Sequence, residues 1–134
     1  MNEPGSSLSS PTRLILIDST SRAEAAHNLG VDNLPPCSIT MGVATIMAAR
    51  KIYLLAWGDD KADIIKKAVE DKVSDTLPAS YLQMHNNANV CIDLAAASHL
   101  TRIQRPWLVT NCEWNDKLIR SAIVWYVCVL KSRF

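Results

Sequence analysis

Residues 51–70 (KIYLLAWGDDKADIIKKAVE) constrain the fold more than any other segment of this chain. The run IYLLAW is continuously apolar, which is typical of a strand that is buried on both faces of a parallel sheet. Gly58 and two aspartates then predict a turn, and the apolar residues after the turn recur at helical spacing. The segment therefore predicts a buried strand, a tight turn and an amphipathic helix in succession.

The rest of the chain repeats this alternation. Short apolar or extended runs predict strands at residues 13–17, 38–41, 52–57, 89–94 and 106–110. Helices are expected at about residues 21–29, 43–49, 59–69, 78–85, 95–101 and 115–130. Strands that alternate with helices predict an α/β fold with a parallel sheet flanked by helices. A length of 134 residues suggests one domain.

Composition predicts a folded, soluble protein, and the cysteine pattern leads us to expect a cytoplasmic one. Apolar residues make up 49% of the chain and charged residues 20%, and the net charge is +1. The basic residues are dispersed, so neither nucleic acid nor an acidic partner is expected. The longest apolar run, residues 123–130, is too short to span a membrane. Four scattered cysteines and three scattered histidines predict buried free thiols and no metal site.

The C-terminal helix differs from the others in its apolar content. Asn115 or Asp116 can cap it, and it is apolar almost all round from Ala122 to Leu130. Such a helix requires a partner surface, so we expect either that it docks on the sheet or that its partner is missing from these 134 residues.

Lys61 is the first candidate for chemistry, because it lies at the predicted start of a helix just after a strand. Unpaired N–H groups and the helix dipole favour an anion there, and ligands of open α/β sheets bind beyond the carboxyl ends of strands. Asp59 and Asp60 equally fit ordinary helix caps. Both a phosphate-binding lysine and a capped surface helix stay open.

Glu3, in the segment NEPGSS, is the second candidate. A carboxylate can orient a histidine that transfers protons, although a lone glutamate near a terminus is normally solvated. Gly5, Ser6 and Ser7 can bind an anion through backbone N–H groups or form an ordinary flexible loop.

Three segments, taken in order, resemble the C-terminal half of the glucosamine-6-phosphate deaminase (isomerase) family. Residues 2–7 resemble its Asn-Glu-Pro-(Gly/Ala)-Ser-Ser loop, residues 39–50 its Thr-Gly segment, and residues 54–61 its strand, glycine and lysine turn. The resemblance covers residues 1–110, which leaves residues 111–134 as a terminal helical extension. It is closest to bacterial deaminase-like proteins that carry a further domain.

The resemblance implies a Rossmann-like sheet and a specific reaction. Members of the family convert glucosamine 6-phosphate to fructose 6-phosphate and ammonia, without a metal or organic cofactor. The partner is therefore a phosphorylated amino sugar, and the hexameric members leave homo-oligomerisation open. Glu3 matches the glutamate that pairs with a ring-opening histidine, and Lys61 matches a lysine that holds the sugar phosphate. Ser6, Ser7 and Arg13 match positions that bind a regulatory sugar phosphate.

Departures from the family pattern limit what these 134 residues can do. The family's Asp-Gly-His, its Gly-rich phosphate loop and its general-base aspartate have no match here. Ile15 stands where a lysine is common, and Ala44 where a glycine is usual. We therefore expect part of a deaminase-like protein that is inactive alone, or, as the alternative, a non-catalytic sugar-phosphate-binding module. The related 6-phosphogluconolactonases are disfavoured by the NEPGSS loop.

Overall fold

A computed structural model describes residues 2–17, 19–30 and 34–131. Its strands are β1 (Arg13–Leu16), β2 (Cys37–Thr40), β3 (Ile52–Ala56) and β4 (Ala88–Ile92). Its α-helices are α1 (Ser19–Leu29), α2 (Val43–Met47), α3 (Ala62–Glu70), α4 (Thr101–Gln104) and α5 (Asp116–Lys131). Short 3₁₀ helices cover Asp59–Lys61, Pro78–Met84 and Pro106–Leu108. The alternation of strands and helices confirms the predicted α/β class.

Two compact units make up the chain, and each has its own buried residues. One unit comprises residues 1–54 and 67–91, and the other comprises residues 55–66 and 92–134. Buried apolar residues of the first unit are Val43, Ile52, Ala68 and Tyr81. Those of the second unit are Ala62, Ile65, Ala96, Ala97 and Leu100. The division between residues 110 and 111 stays a prediction.

The direction of the strands is only partly as expected. β3 and β4 run in the same direction, because Ile52 at the start of β3 donates its N–H to Asn87 just before β4. β1 and β2 instead pair antiparallel, with Arg13 opposite Thr40 and Leu16 opposite Cys37. A wholly parallel sheet is therefore wrong for this pair, since the chain returns through α1 to the end at which β1 finished.

Strand β3 is buried on one face, whereas its apolar sequence predicted burial on both. Ile52 is buried and Leu54 half-buried, but Tyr53 and Leu55 between them are 56% and 58% exposed. This alternation of burial is typical of a strand that packs on one face only. An apolar run of this length shows that the segment is hydrophobic, but it does not show whether one face or both faces of the strand are packed against other layers.

Several element types also differ from the sequence predictions. Residues 106–110, predicted to be extended, form a 3₁₀ helix over Pro106–Leu108 followed by a turn. The missing N–H of Pro106 costs nothing at the first position of a helix. Residues 95–101, predicted to be a helix, form turns before α4. The prediction for α5 is confirmed, since the Asn115 side chain accepts a hydrogen bond from the Leu118 N–H at 2.9 Å and so caps the helix.

The structure also tests the predictions for the cysteines and for membrane-spanning segments. All four cysteines are free, as predicted, but none is buried: Cys91 and Cys128 are exposed, and the other two are half-buried. Across the described ranges, every helix is too short or too polar to cross a lipid bilayer.

Gly42 sits where two segments of the first unit approach each other closely. The Val43 and Ala44 N–H groups at the start of α2 donate to the Ser10 side chain and carbonyl at 3.3 and 3.1 Å. A Cβ on Gly42 would collide with the backbone of Ser10 and Pro11. Because backbone cannot move aside as a flexible side chain can, this position requires glycine.

Replacement of Gly42 by alanine should destabilise the first unit. We expect Gly42→Ala to lower the free energy of unfolding by about 1–3 kcal/mol or more, as overpacking does. Urea unfolding followed by circular dichroism measures this change. Gly30→Ala is the control, since Gly30 has open space around it and a φ of +63°, so that its loss costs only backbone strain. A smaller effect at Gly42 than at Gly30 would contradict the close approach.

Candidate functional site

Arg13 gathers the polar side chains of the N-terminal loop. It is the first residue of β1 and is partly buried, with a side chain 25% exposed. Its Nη2 donates to Glu3 Oε1 at 2.8 Å and to Ser6 Oγ at 2.6 Å. Its Nη1 donates to Asn2 Oδ1 at 3.2 Å. One guanidinium thus holds three separate loop residues against the beginning of a strand.

Backbone hydrogen bonds fix the same loop. Ser6 is buried, and both its N–H and its hydroxyl donate to the Glu3 carbonyl, at 3.1 and 2.6 Å. The Gly5 N–H donates to the Asp75 carbonyl at 2.8 Å. Gly5 has a φ of +88°, which glycine adopts without the steric cost that other residues incur. The loop is therefore a defined turn rather than a flexible linker.

The residues predicted for this loop do not all meet. Glu3, Ser6 and Arg13 come together, whereas the Ser7 hydroxyl is exposed and hydrogen-bonds Ser9 Oγ at 3.2 Å. The Glu3 carboxylate, 47% exposed, is paired with Arg13. Sequence reasoning missed Asn2, whose amide links Arg13 to the Met41 carbonyl at 3.0 Å. The sequence signal for Asn2 was its place as the first residue of the NEPGSS segment.

Ion pairing also sets the charge of Glu3. The hydrogen bond from Arg13 is the largest cause that lowers the pKa of the Glu3 carboxyl below its ordinary value. Charge attraction by Arg13 acts in the same direction. Glu3 is therefore a carboxylate at neutral pH, and it acts as an acceptor of hydrogen bonds rather than as a donor.

The second unit holds a separate turn that carries Lys61. Gly58 has a φ of +90°, and its N–H faces both oxygens of the Asp93 carboxylate at 3.3 Å. Asp93 Oδ1 also accepts the Ala96 N–H at 2.8 Å. Asp93 therefore clamps the turn after β3 to the segment after β4. An aspartate between a strand and three alanines was a detectable capping signal that sequence reasoning did not use.

Lys61 stands at the end of this turn, immediately before α3. Its Nζ lies 2.6 Å from Asp60 Oδ2, and its N–H donates to the Gly58 carbonyl at 3.3 Å. The hydrogen bond that the Lys61 ammonium donates to the Asp60 carboxylate is the main cause that lowers the pKa of Asp60. Both side chains are about half exposed or more. An anion that approaches Lys61 must therefore compete with the Asp60 carboxylate.

A further pair of titratable groups lies in the second unit. His99 Nδ1 is 2.7 Å from Asp63 Oδ1, and both side chains are exposed. Within residues 2–17, 19–30 and 34–131, no three cysteine, histidine or acidic side chains cluster as metal ligands.

Comparison with known proteins places these features in a family. The model of the family described as glucosamine-6-phosphate isomerases/6-phosphogluconolactonase matches residues 13–91. A glucosamine-6-phosphate deaminase-like protein of Bacteroides thetaiotaomicron is 65% identical over 98% of this chain and 20% of its own length. A glucosamine-6-phosphate deaminase of Streptococcus equi subsp. zooepidemicus is 46% identical over 74% of this chain and 43% of its own length.

A solved structure supports the same relationship. A monomeric glucosamine-6-phosphate deaminase superposes with a TM-score of 0.68 and 36% identity over 73% of this chain and 41% of that one. This chain therefore spans less than half of the length of each of these three relatives.

Removal of Arg13 should change how Glu3 titrates. We expect the Glu3 carboxyl to titrate below its ordinary pKa, and Arg13→Gln to raise that pKa because the hydrogen bond and the positive charge are lost. Since the folded-state pKa is lowered, the stability from this pair is present above the unfolded-state pKa. It is lost as the pH falls through the folded-state pKa.

Carbon-detected NMR of the glutamate carboxyls, recorded against pH, measures this shift. Arg22→Gln is the control, because it removes an exposed arginine of α1 and leaves the loop intact. A Glu3 pKa that is unchanged by Arg13→Gln would contradict the ion pair.

Proposed function

Because the chain belongs to the glucosamine-6-phosphate isomerase/6-phosphogluconolactonase family, we propose that it is part of a glucosamine-6-phosphate deaminase-like protein of amino-sugar catabolism. The reaction converts glucosamine 6-phosphate and water to fructose 6-phosphate and ammonia. Support comes from the deaminases among its relatives and from the Asn-Glu-Pro-Gly-Ser-Ser loop. The ligand is a phosphorylated amino sugar, and no metal or organic cofactor is part of the proposal.

The turn of residues 58–61 is the observation that carries this proposal. Asp93 holds the Gly58 N–H, so that the chain leaves β3 and enters α3 with Lys61 at the helix start. The dipole of α3 favours negative charge at this end. A phosphate dianion there attracts the Lys61 ammonium more strongly than the single charge of Asp60 does. Lys61 is accordingly the proposed phosphate ligand.

Glu3 is the proposed catalytic residue of the N-terminal loop. Arg13 keeps its carboxylate ionised, and an ionised carboxylate can accept a hydrogen bond from a histidine and orient it for proton transfer. Arg13 and Ser6 support Glu3 through their hydrogen bonds. Binding of a regulatory sugar phosphate by Ser6, Ser7 and Arg13 stays a prediction. Arg13 already hydrogen-bonds Asn2, Glu3 and Ser6, so such a ligand would have to compete with these three residues.

A non-catalytic sugar-phosphate-binding module is the second candidate for these 134 residues. His85 bonds the Ala49 carbonyl at 2.8 Å and the Asn87 N–H at 3.1 Å, and His99 pairs with Asp63. These two described histidines therefore have partners other than Glu3. General acid and base catalysis requires positioned proton donors and acceptors, and the sequence offers no match to the family's Asp-Gly-His or general-base aspartate.

Removal of the Lys61 ammonium should weaken binding of glucosamine 6-phosphate to the chain. A hydrogen bond to a charged group contributes about 1.5–3 kcal/mol, so Lys61→Ala should raise the Kd roughly tenfold or more. Isothermal titration calorimetry measures the change, with fructose 6-phosphate and inorganic phosphate as comparison ligands. Lys67→Ala removes an exposed lysine from the last turn of the same helix and serves as the control. Equal loss in both variants, or no binding by the parent chain, contradicts the assignment of Lys61.

Catalysis by the isolated chain is a separate question. We expect the purified 134 residues to release no ammonia from glucosamine 6-phosphate above the uncatalysed background. A coupled glutamate dehydrogenase assay measures the release, with a longer deaminase relative as the positive control. Ammonia release that Glu3→Gln abolishes would show that the chain is itself an enzyme, and it would exclude the non-catalytic candidate.

A further inference from the structure

Asp93 is the first residue after β4, and its carboxylate reaches the turn that follows β3. Its Oδ1 accepts a hydrogen bond from the Ala96 N–H at 2.8 Å. Both of its oxygens lie 3.3 Å from the Gly58 nitrogen. Gly58, Asp93 and Ala96 all belong to the second unit. One carboxylate therefore joins the segment after β3 to the segment after β4 within a single compact body.

The Gly58 N–H is the group through which this turn is fixed. Gly58 has no side chain of its own to anchor it, and its φ of +90° is one that other residues rarely adopt. Three residues later, the Lys61 N–H donates to the Gly58 carbonyl at 3.3 Å. Asp93 therefore holds Gly58, and Gly58 in turn holds the Lys61 backbone immediately before α3.

The charge of Asp93 opposes the anion that this turn is proposed to bind. Asp59 and Asp60 already place two carboxylates in the turn, and Asp93 adds a third beside Gly58. Negative charges repel a phosphate dianion, so Asp93 cannot strengthen phosphate binding through its charge. Any favourable effect of Asp93 on this site must come from the geometry that its hydrogen bonds impose.

We propose that Asp93 is a positioning residue of the phosphate site, and that the hydrogen bond it accepts from the Gly58 N–H sets how tightly Lys61 binds a sugar phosphate. Asp93 acts through the backbone of the turn and not by contact with the ligand. The inference rests on the proposed function and deepens it, because it names the residue that controls the affinity of the same site.

A second contact between the same two segments provides an internal control. His99 Nδ1 lies 2.7 Å from Asp63 Oδ1, and these side chains are 45% and 78% exposed. Exposed ion pairs contribute little, because water competes for both groups and screens their charges. This contact joins two side chains and leaves the Gly58 N–H untouched. His99→Ala therefore disturbs the segment after β4 without removing the hydrogen bond that the proposal requires.

Two uncharged substitutions of Asp93 separate its reach from its charge. Asp93→Asn keeps Oδ1 as an acceptor for both the Gly58 and the Ala96 N–H groups. Asp93→Ser keeps a hydroxyl that can cap the Ala96 N–H, as serine does at the start of a helix, but its shorter side chain withdraws the acceptor from Gly58. Both variants lose the negative charge, and only Asp93→Ser loses the hydrogen bond to the turn.

The Kd of the 134-residue chain for glucosamine 6-phosphate, measured by isothermal titration calorimetry, is the first readout. We expect Asp93→Asn to bind within about threefold of the parent. Asp93→Ser should bind roughly five- to tenfold more weakly than Asp93→Asn, which is the size of effect that the loss of one hydrogen bond produces. His99→Ala should bind within about twofold of the parent, since an exposed ion pair contributes little.

A double-mutant cycle with Lys61→Ala distinguishes positioning from a merely structural role. If Asp93 acts through Lys61, the difference between Asp93→Ser and Asp93→Asn should fall below about twofold once Lys61 is replaced. A general loss of folded protein would instead lower the affinity equally in both backgrounds. All four tryptophans lie in the second unit, so near-ultraviolet circular dichroism shows whether each variant keeps this unit folded.

Hydrogen exchange tests the same hydrogen bond without a ligand. The Gly58 amide should exchange several-fold faster in Asp93→Ser than in Asp93→Asn, because only the serine variant leaves it without the side-chain acceptor. The Ala96 amide should exchange at a similar rate in both variants.

Three results would overturn the role of Asp93 while the proposed function stands. Equal affinity, or equal exchange of the Gly58 amide, in Asp93→Ser and Asp93→Asn would show that the hydrogen bond does not set the site. An equal loss with and without Lys61 would make Asp93 merely structural. A loss in His99→Ala as large as that in Asp93→Ser would assign the effect to the whole segment.

Failure of the proposed function has a different signature. A parent chain that does not bind glucosamine 6-phosphate, or that binds it equally well after Lys61→Ala, contradicts the phosphate site itself. Asp93 then has no site to position, and the inference is overturned with the proposal on which it rests.

Discussion

The Arg13 guanidinium is the interaction on which the N-terminal loop depends. It stands at the first position of β1, and it binds Asn2, Glu3 and Ser6, which no backbone ladder brings together. Because β1 pairs with β2, the position of the loop is tied to that strand pair. Arg13 therefore both positions the Glu3 carboxylate and favours its ionised form, so any chemistry of this loop depends on Arg13.

The turn before α3 is held by a carboxylate, that of Asp93, whereas the N-terminal loop is held by a guanidinium. The Asp93 carboxylate accepts hydrogen bonds from the Gly58 and Ala96 N–H groups and so gives both donors a partner. Lys61 emerges from this turn beside Asp60. The arrangement leaves a cation at a helix start with an exposed carboxylate as its present partner, which a more highly charged anion can replace.

Local sequence patterns predicted the parts of the fold that local physics determines. The β3 strand, the glycine turn and α3 follow from an apolar run, a breaker and helical spacing, and Asn115 follows from capping preference. The antiparallel pairing of β1 and β2 did not follow, because a strand's direction depends on the path of the connecting chain. The exposure of Tyr53 did not follow either, since it depends on which layers cover the sheet.

The candidate site was predictable only as residue types. Glu3 and Arg13 are ten positions apart, and their contact depends on a turn with a positive-φ glycine that the sequence suggests but does not specify. Asp93 lies 35 positions from Gly58, so its role is set by the neighbouring ends of β3 and β4. The resemblance to a family proposed Glu3 and Lys61 as candidates, whereas the contacts through which Arg13 and Asp93 position them were found only in the structure.

We propose that the Gly58–Lys61 turn binds the phosphate of an amino sugar. An ¹H–¹⁵N correlation spectrum of the chain, titrated with glucosamine 6-phosphate, tests this most directly. We predict saturable shifts of the backbone amides of Asp59, Asp60, Lys61 and Ala62, larger than those caused by glucosamine alone. Shifts confined to other residues, or an unchanged spectrum at saturating ligand, would contradict the account.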